Sequence, residues 1–190
     1  IKEKGQMAGK LKSIAVYCGH QYGTNPKFAE DAAKIGKMLA QNGIKMVFGG
    51  GNVGLMGTVA TAALENGGHV TGITTHDVVA KQEPMHAGID AFEITEGVNE
   101  RKQKMFDLSD GFIILPGGTG TLNELTDIMT MQQIGETNKP LFFMNTAHFW
   151  APFARLLIHM KETGFFVRPE EYNIHGATTP EALMEKVLNY

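Results

Sequence analysis

The chain has 190 residues, a length that suits one well-buried domain and is short for two. Its 17 basic and 20 acidic residues give a formal net charge of −3, which leaves no basic face for a nucleic-acid backbone. The single cysteine, Cys18, allows no intramolecular disulfide, and no apolar run reaches the roughly 18 to 20 residues that span a bilayer. We therefore expect a cytoplasmic protein that binds neither nucleic acid nor membrane.

Residues 1–10 are polar and aperiodic, so we expect a flexible tail followed by one domain at 11–190. Apolar runs predict strands at 13–18, 44–48, 69–74, 111–115 and 140–144. Helical spacing predicts helices at 26–42, 55–65, 98–109, 121–134 and 149–163, and a last helix that begins at Thr179. The stretch 75–93 is predicted to be loop, with short extended pieces at 94–95, 165–167 and 172–174. This alternation predicts an α/β fold, a Rossmann-like doubly wound parallel sheet with helices on both faces.

A glycine turn with Gly117, Gly118 and Gly120 lies between a predicted strand and a predicted helix. Glycines let backbone N–H groups converge, and the N-terminus of the helix adds partial positive charge, so this turn is suited to hold a phosphate. Glu124 lies one turn inside the helix, where a carboxylate beside a phosphate indicates chemistry on the bound molecule. The pair Thr121 and Glu124 also matches a capping box, in which both side chains only bond the helix backbone. From this pattern alone, catalysis and capping are both open.

A second glycine turn contains Gly49, Gly51 and Gly54 at the G-x-G-x-x-G spacing of dinucleotide sites. Such sites need an acidic residue at the end of the next strand, and this chain has Thr74, Thr75 and His76 there, with Asp77 just beyond. We therefore expect a structural or substrate-lining turn, and NAD-dependent chemistry is a weak alternative.

No metal site is predicted, because the seven histidines form no His-x3-His pair and have no cysteine at zinc spacing. Cys18 lacks the Cys-x5-Arg loop of phosphatases and is expected to be a buried, small apolar residue. Judged by residue type alone, Glu83 and the pair Arg101 and Lys102 are either solvated charges or site residues.

Three segments taken together resemble one family: GGGNVGLMG at 49–57, the pair Arg101 and Lys102, and PGGTGTLNE at 116–124. From about residue 13 to residue 166 the chain is similar to the LONELY GUY (LOG) family, the cytokinin riboside 5′-monophosphate phosphoribohydrolases. The resemblance implies a homodimer that hydrolyses the N-glycosidic bond of a cytokinin-type or plain adenine nucleoside 5′-monophosphate, without a cofactor. The products are the free base and ribose 5-phosphate. Family members are often labelled lysine decarboxylases, yet nothing in this sequence resembles a pyridoxal-phosphate lysine site.

The resemblance also implies roles for individual residues. Arg101 and Glu124 match the residues that the family needs for activity. Substrate contacts are implied for Glu83, Lys102, Gly117, Gly118, Thr119, Gly120, Thr121 and Thr130. Glycosidic cleavage develops positive charge on the ribosyl centre, and a carboxylate such as Glu124 can stabilise that charge, bind ribose hydroxyls or activate water.

The chain departs from the family pattern where the family commonly has a loop aromatic residue, a helix tryptophan, a Met-His pair and a serine. The residues found there are Thr119, Met131, Val98 with Asn99, and His20. These departures leave open whether an isoprenoid-substituted adenine or plain adenine is preferred, and an AMP-restricted nucleosidase is one alternative. Another alternative is a non-catalytic carrier of a nucleotide or molybdenum cofactor, which needs the cradle but neither Arg101 nor Glu124.

A family dimer needs an apolar helix surface, for which Leu125, Ile128 and Met129 are candidates unless they belong to the core.

Overall fold

The computed structural model describes residues 11–77, 88–166 and 168–190. The strands are β1 (Ser13–Tyr17), β2 (Lys45–Phe48), β3 (Val70–Thr75), β4 (Ala91–Thr95), β5 (Gly111–Ile114), β6 (Leu141–Met144) and β7 (Ile174–Ala177). The α-helices are α1 (Lys27–Gln41), α2 (Gly54–Glu65), α3 (Val98–Asp107), α4 (Thr119–Gln133), α5 (Ala151–Glu162) and α6 (Pro180–Leu188). Two short 3-10 helices lie at Thr146–His148 and Pro169–Glu171. The predicted tail, 1–10, and Glu83 lie outside the described residues.

All the described strands form one sheet in the order β4-β3-β2-β1-β5-β6-β7, and every neighbouring pair is parallel. The chain builds outward from β1 to β4, then returns and builds in the other direction from β5 to β7. This confirms the predicted Rossmann-like, doubly wound sheet. The direction reverses between β1 and β5, and in open α/β sheets ligands bind at the carboxyl ends of the strands at such a reversal. The two loops that leave these ends are joined by a hydrogen bond of 3.0 Å from the Gly19 N–H to the Pro116 carbonyl.

Both faces of the sheet are covered by helices. Successive side chains of a strand point to opposite faces, so each central strand contributes to a core cluster on either side. Ile14 and Val16 of β1 belong to the core cluster that includes residues of α1, α2 and α6. Ala15 and Tyr17 belong to the second cluster, which includes residues of α3 and α4. Burial on both faces explains why the central strands are continuously apolar in sequence.

The predicted dimer surface on α4 is instead core. Leu125, Ile128 and Met129 are 0%, 3% and 6% exposed and belong to the second core cluster. Their spacing brings them onto one face of the helix, and that face lies against the sheet. A subunit interface must therefore use other residues.

Three stretches differ from their predicted structure. The stretch 75–93 was predicted to be loop, yet β4 begins at Ala91, and as an edge strand with partly exposed side chains it lacks a strong apolar pattern. Phe165 and Phe166, predicted to be extended, lie in a turn in which both N–H groups donate to the Met160 carbonyl, at 2.7 and 3.1 Å. At the third extended piece, β7 begins two residues late, at Ile174.

Cys18 is 8% exposed and belongs to the first core cluster, as expected of a small apolar residue, and burial raises the pKa of its thiol. Within the described parts of the chain, no helix is both long and apolar enough to cross a membrane.

Candidate active site

The turn after β5 leads into α4 without a side-chain cap. The N-cap residue is Gly118, so the helix begins two residues before the predicted start, and Thr121 lies inside its first turn. In the part of the chain that the structure describes, the N–H groups of Thr119, Gly120 and Thr121 have no acceptor. The capping-box interpretation of Thr121 and Glu124 is therefore wrong, and the free N–H groups form the anion-binding end of a helix.

Packing requires glycine at position 117 of this turn, whereas no described residue requires it at positions 118 and 120. A Cβ atom at Gly117 would collide with the Thr121 hydroxyl and would lie 3.0 Å from the Gly19 nitrogen. A Cβ atom at Gly118 or Gly120 would meet no atom of the described residues within 4 Å, apart from those of its chain neighbours and its own helix backbone. The space in front of these two glycines is open to a ligand.

The earlier turn, before α2, is closed by the protein itself. Gly54 has φ = +60°, and a Cβ there would collide with the backbone of His20. The N–H groups of Leu55 and Met56, at the start of α2, both donate to the Gly19 carbonyl, at 3.1 and 3.3 Å. A protein carbonyl thus occupies the place that a pyrophosphate takes in a dinucleotide site. This contact favours the structural interpretation of the turn over an NAD site.

Arg101, on α3, reaches across the carboxyl ends of two strands. Its Nε donates to the Ile73 carbonyl at 2.9 Å, and one terminal nitrogen donates to the Gly49 carbonyl at 3.3 Å. A Cβ at Gly49 would collide with that nitrogen, so the glycine gives the guanidinium its room. The described residues accept from two of the five guanidinium N–H donors in this way, and three have no acceptor among them.

Glu124 is partly buried and makes no capping hydrogen bond to the start of its helix. Among the described residues, none donates a hydrogen bond to its carboxylate, and none forms a salt bridge with it. Burial raises the pKa of Glu124 to about 7, although the positive charges of Arg101 and Lys102 act to lower it and the negative charge of Asp127 adds to the rise. The carboxyl group therefore changes its protonation state near neutral pH, as a general acid or base requires.

Lys102 lies beside Glu124 but is bonded to other residues of α4. Its Nζ donates to the Asn123 side-chain oxygen at 3.0 Å and forms a salt bridge with Asp127. These two partners come directly before Glu124 and three residues after it. Lys102 and Asp127 thus form an ion pair along the same face of the helix as the candidate catalytic carboxylate.

Glu124 lies on the wall between two cavities. The first, which we call the recess, has a volume of about 210 Å³ and is lined by Arg101, the turn 118–121 and the loop after β1. The second, which we call the side cavity, has a volume of about 400 Å³ and lies between α3 and α4. Tyr17 and Glu124 line both cavities, and burial, followed by the negative charge of Glu124, raises the pKa of the Tyr17 phenol.

The structure brings most of the sequence-predicted site residues to these two cavities. Arg101, Glu124, Gly118, Thr119, Gly120 and Thr121 line the recess, and Lys102 and Thr130 line the side cavity. Thr130 donates its hydroxyl to the Thr126 carbonyl at 2.8 Å. Gly117 instead lines a third cavity of about 240 Å³, together with the aromatic residues Tyr22, Phe28 and Phe149.

Four of the five residues that depart from the family pattern line these two cavities, and Val98 lines neither. Thr119 and His20 line the recess, whereas Met131 and Asn99 line the side cavity.

Sequence reasoning missed two residues of the site. Tyr17 is the last residue of β1 and looks like one more apolar strand residue, and only the sheet order brings it beside Glu124. Asp127 looks like a surface acid, although its spacing of three from Glu124 was a signal that both side chains share one helix face.

Comparison with known proteins gives one family. The family described as "Possible lysine decarboxylase" matches residues 56–187. A cytokinin riboside 5′-monophosphate phosphoribohydrolase of Rhodococcoides fascians is 36% identical over 81% of this chain and 78% of its own length. The enzyme LOG of Oryza sativa subsp. japonica is 33% identical over 98% of this chain and 76% of its own, and LOG3 of Arabidopsis thaliana is 31% identical over 100% and 88%.

Solved structures share the fold at lower identity. The molybdenum cofactor binding protein of Rippkaea orientalis superposes with a TM-score of 0.68 at 23% identity, over 95% of this chain and 96% of that one. The Moco carrier protein of Chlamydomonas reinhardtii gives a TM-score of 0.69 at 20% identity, over 95% and 99%. At these identities the similarity is one of fold.

Proposed function

This chain belongs to the family of cytokinin riboside 5′-monophosphate phosphoribohydrolases, and from that premise we propose that it hydrolyses the N-glycosidic bond of a purine nucleoside 5′-monophosphate. The products are the free base and ribose 5-phosphate. The names of the relatives support the reaction, and the two cavities around Glu124 support its place in this chain.

The position of Glu124 on the wall between the recess and the side cavity carries this proposal. The bond that breaks joins the anomeric carbon of the ribose to a nitrogen of the base, so a group that acts on it must lie between a sugar site and a base site. We assign the 5′-phosphate and ribose to the recess and the base to the side cavity. The scissile bond then lies beside the Glu124 carboxyl group.

Phosphate binding in the recess follows from its donors. The N–H groups of Thr119, Gly120 and Thr121 lie at the N-terminus of α4, where the helix dipole favours an anion. Arg101 adds a full positive charge, and three of its N–H groups have no acceptor among the described residues. Binding energy at the phosphate holds the ribose against Glu124 and so contributes to catalysis at a distant bond. A nucleotide is therefore a better substrate than the bare nucleoside.

The reaction needs one water molecule and no cofactor. The bond between the anomeric carbon and the base nitrogen breaks with its electron pair on the nitrogen, and the water oxygen bonds to the anomeric carbon. The Glu124 carboxylate stabilises the positive charge that develops on the sugar and accepts the proton that the water loses. The base nitrogen takes up a proton from solvent as it leaves, and Glu124 then returns its proton to solvent, so that no net proton is gained or lost. Tyr17, whose phenol stays protonated, is a neutral hydrogen-bond donor at the same place.

The test is release of free base, measured by chromatography after incubation with AMP, isopentenyladenosine monophosphate and adenosine. We expect base from at least one nucleotide and much less from adenosine. The variant Glu124→Gln should release none above background, and the exposed Glu136→Gln serves as the matched control with full activity. Absence of base from every nucleotide would contradict the proposed function, and the relative rates on the two nucleotides identify an AMP-restricted enzyme.

The carrier alternative gives a different result in the same assay. A carrier retains its ligand intact, and loss of the Glu124 charge does not change turnover because there is none. The partly buried Glu124 carboxyl group has no partner among the described residues, which favours the hydrolase, since a carrier gains nothing from such a group.

We also infer that the protein is a homodimer, as the family resemblance implies. Exposed apolar side chains on and after α5 support this state: Leu156 is 51% exposed, Ile158 56% and Phe165 80%. Light scattering coupled to size-exclusion chromatography measures the molar mass directly. A dimer that becomes a folded monomer in Phe165→Ser would assign this surface to the interface.

A further inference from the structure

The ion pair between Lys102 and Asp127 shares the side cavity with Glu124. The side chain of Lys102 is 20% exposed and that of Asp127 is 43% exposed, so the lysine is the more enclosed partner. The Lys102 Nζ also donates to Asn123 at 3.0 Å, so α4 holds the ammonium group at two points.

Glu124 lies between these two points along the helix, yet it takes no part in the pair. In the described portion of the chain, no salt bridge joins Lys102 to Glu124. Both residues line the same cavity, so without Asp127 the carboxylate open to the ammonium group inside that cavity is Glu124. An ammonium group on Glu124 would neutralise the charge that the proposed reaction uses.

We propose that Asp127 is a positioning residue, which binds the Lys102 ammonium group and so keeps the neighbouring candidate catalytic carboxyl group, Glu124, free of a counter-ion. Asp127 touches neither sugar nor water in this role, and it acts through Lys102. The inference rests on the proposed function for its catalytic meaning, whereas the placement of the charges is a property of the free protein.

The charges around Glu124 agree with this arrangement. The ionisable groups that act on it or lie beside it are Tyr17 and Cys18 at the end of β1, Arg101 and Lys102 on α3, and Asp127 on α4. Burial is the main reason that the pKa of Glu124 is raised, and Arg101 and Lys102 lower it only in part. The Asp127 carboxylate adds to the rise, because a like charge nearby disfavours ionisation.

The exposed side chain of His20 also lines the recess.

The test is a titration of the Glu124 carboxyl carbon by NMR in protein labelled at the glutamate side chains, with Glu124→Gln used to assign the resonance. The wild-type midpoint is expected near pH 7. In Asp127→Asn we expect a midpoint lower by about half a pH unit or more, because the like charge is lost and the ammonium group turns to Glu124. The matched control Asp107→Asn removes an exposed carboxylate on α3 that does not act on Glu124, and its midpoint should equal that of the wild type.

Activity gives a second readout, which separates positioning from folding. The pH at which kcat/KM changes should move down in Asp127→Asn by the same amount as the NMR midpoint. The variant Asp127→Glu keeps the charge and the ion pair, so it should restore the wild-type midpoint and profile. A purely structural role of Asp127 would lower activity without moving either midpoint.

An Asp127→Asn midpoint equal to that of the control would overturn the inference, as would an Asp127→Glu midpoint that follows the asparagine variant. The NMR titration needs no substrate, so a protein that moves its Glu124 midpoint as expected but releases no base retains the positioning role and loses the proposed function. A protein that releases base with an unmoved midpoint retains the proposed function and loses the positioning role.

Discussion

The two glycine turns of this sheet resemble each other in sequence and differ in what completes them. The turn before α2 is closed by the Gly19 carbonyl, which accepts from the first amides of that helix. The turn before α4 has three amide N–H groups with no acceptor in the described ranges of the chain, and Arg101 and Glu124 lie beside them. A glycine-rich turn between a strand and a helix is therefore a phosphate site only when the rest of the protein leaves its amides unused.

The largest effect is expected from removal of the acid beside the open turn. Glu124→Gln keeps the shape of the side chain and removes its charge, so the developing positive charge on ribose loses its partner. We expect kcat for base release to fall by about a thousandfold or more. Measured binding of the nucleotide should change little, and a loss of less than about tenfold would exclude Glu124 as the catalytic group.

A substitution in the closed turn before α2 should lower the stability of the protein rather than its activity. Gly54→Ala places a side chain at φ = +60° and against the backbone of His20, so we expect the free energy of unfolding to fall by about 3 kcal/mol. Urea denaturation followed by circular dichroism measures this change. Stability within about 0.5 kcal/mol of the wild type, on the order of measurement error, would mean that the turn is not locked by this contact.

The open turn should give the reverse result. Gly120 lies in the first turn of α4, and a Cβ there would have no atom within 4 Å among those described, so Gly120→Ala should leave stability unchanged or raise it by up to about 1 kcal/mol. The added methyl group narrows the recess, and we expect KM for the nucleotide to rise about tenfold. Unchanged KM would place the phosphate elsewhere.

The smallest effect concerns the stability cost of the charge on Glu124, the candidate catalytic acid. The pKa of Glu124 is raised to about 7 in the folded protein, above its unfolded value, so the folded state binds the proton more tightly and loses stability as pH rises from about 4.5 to 7. Glu124→Gln removes that loss and should be more stable than the wild type by about 1 kcal/mol at pH 8, after allowance for partial exposure. At pH 4.5 the two proteins should unfold at the same urea concentration. A wild type as stable as the variant at pH 8 would show that burial does not penalise this charge.

Much of the fold could be read from the sequence because its signals are local. The continuously apolar runs of β1, β5 and β6 belong to strands covered on both faces, and their periodicity differs from that of the helices between them. The edge strand β4 was largely missed. It pairs with one strand only and its side chains are partly exposed, so its sequence lacks the apolar pattern of the central strands. The start of α4 was placed two residues late because a glycine N-cap looks like a continuing turn.

For the candidate active site, the sequence pattern predicted the turn 117–120 and Glu124, through the residue types that phosphate binding and glycosidic chemistry require, whereas the predicted role of Arg101 came from the family resemblance. Tertiary structure alone decided whether Glu124 caps its helix or faces the two cavities, since that depends on where the helix begins and on what lies across from it. It also brought Tyr17 and Asp127 to the same carboxyl group, because charges and burial act through space between elements far apart in the chain.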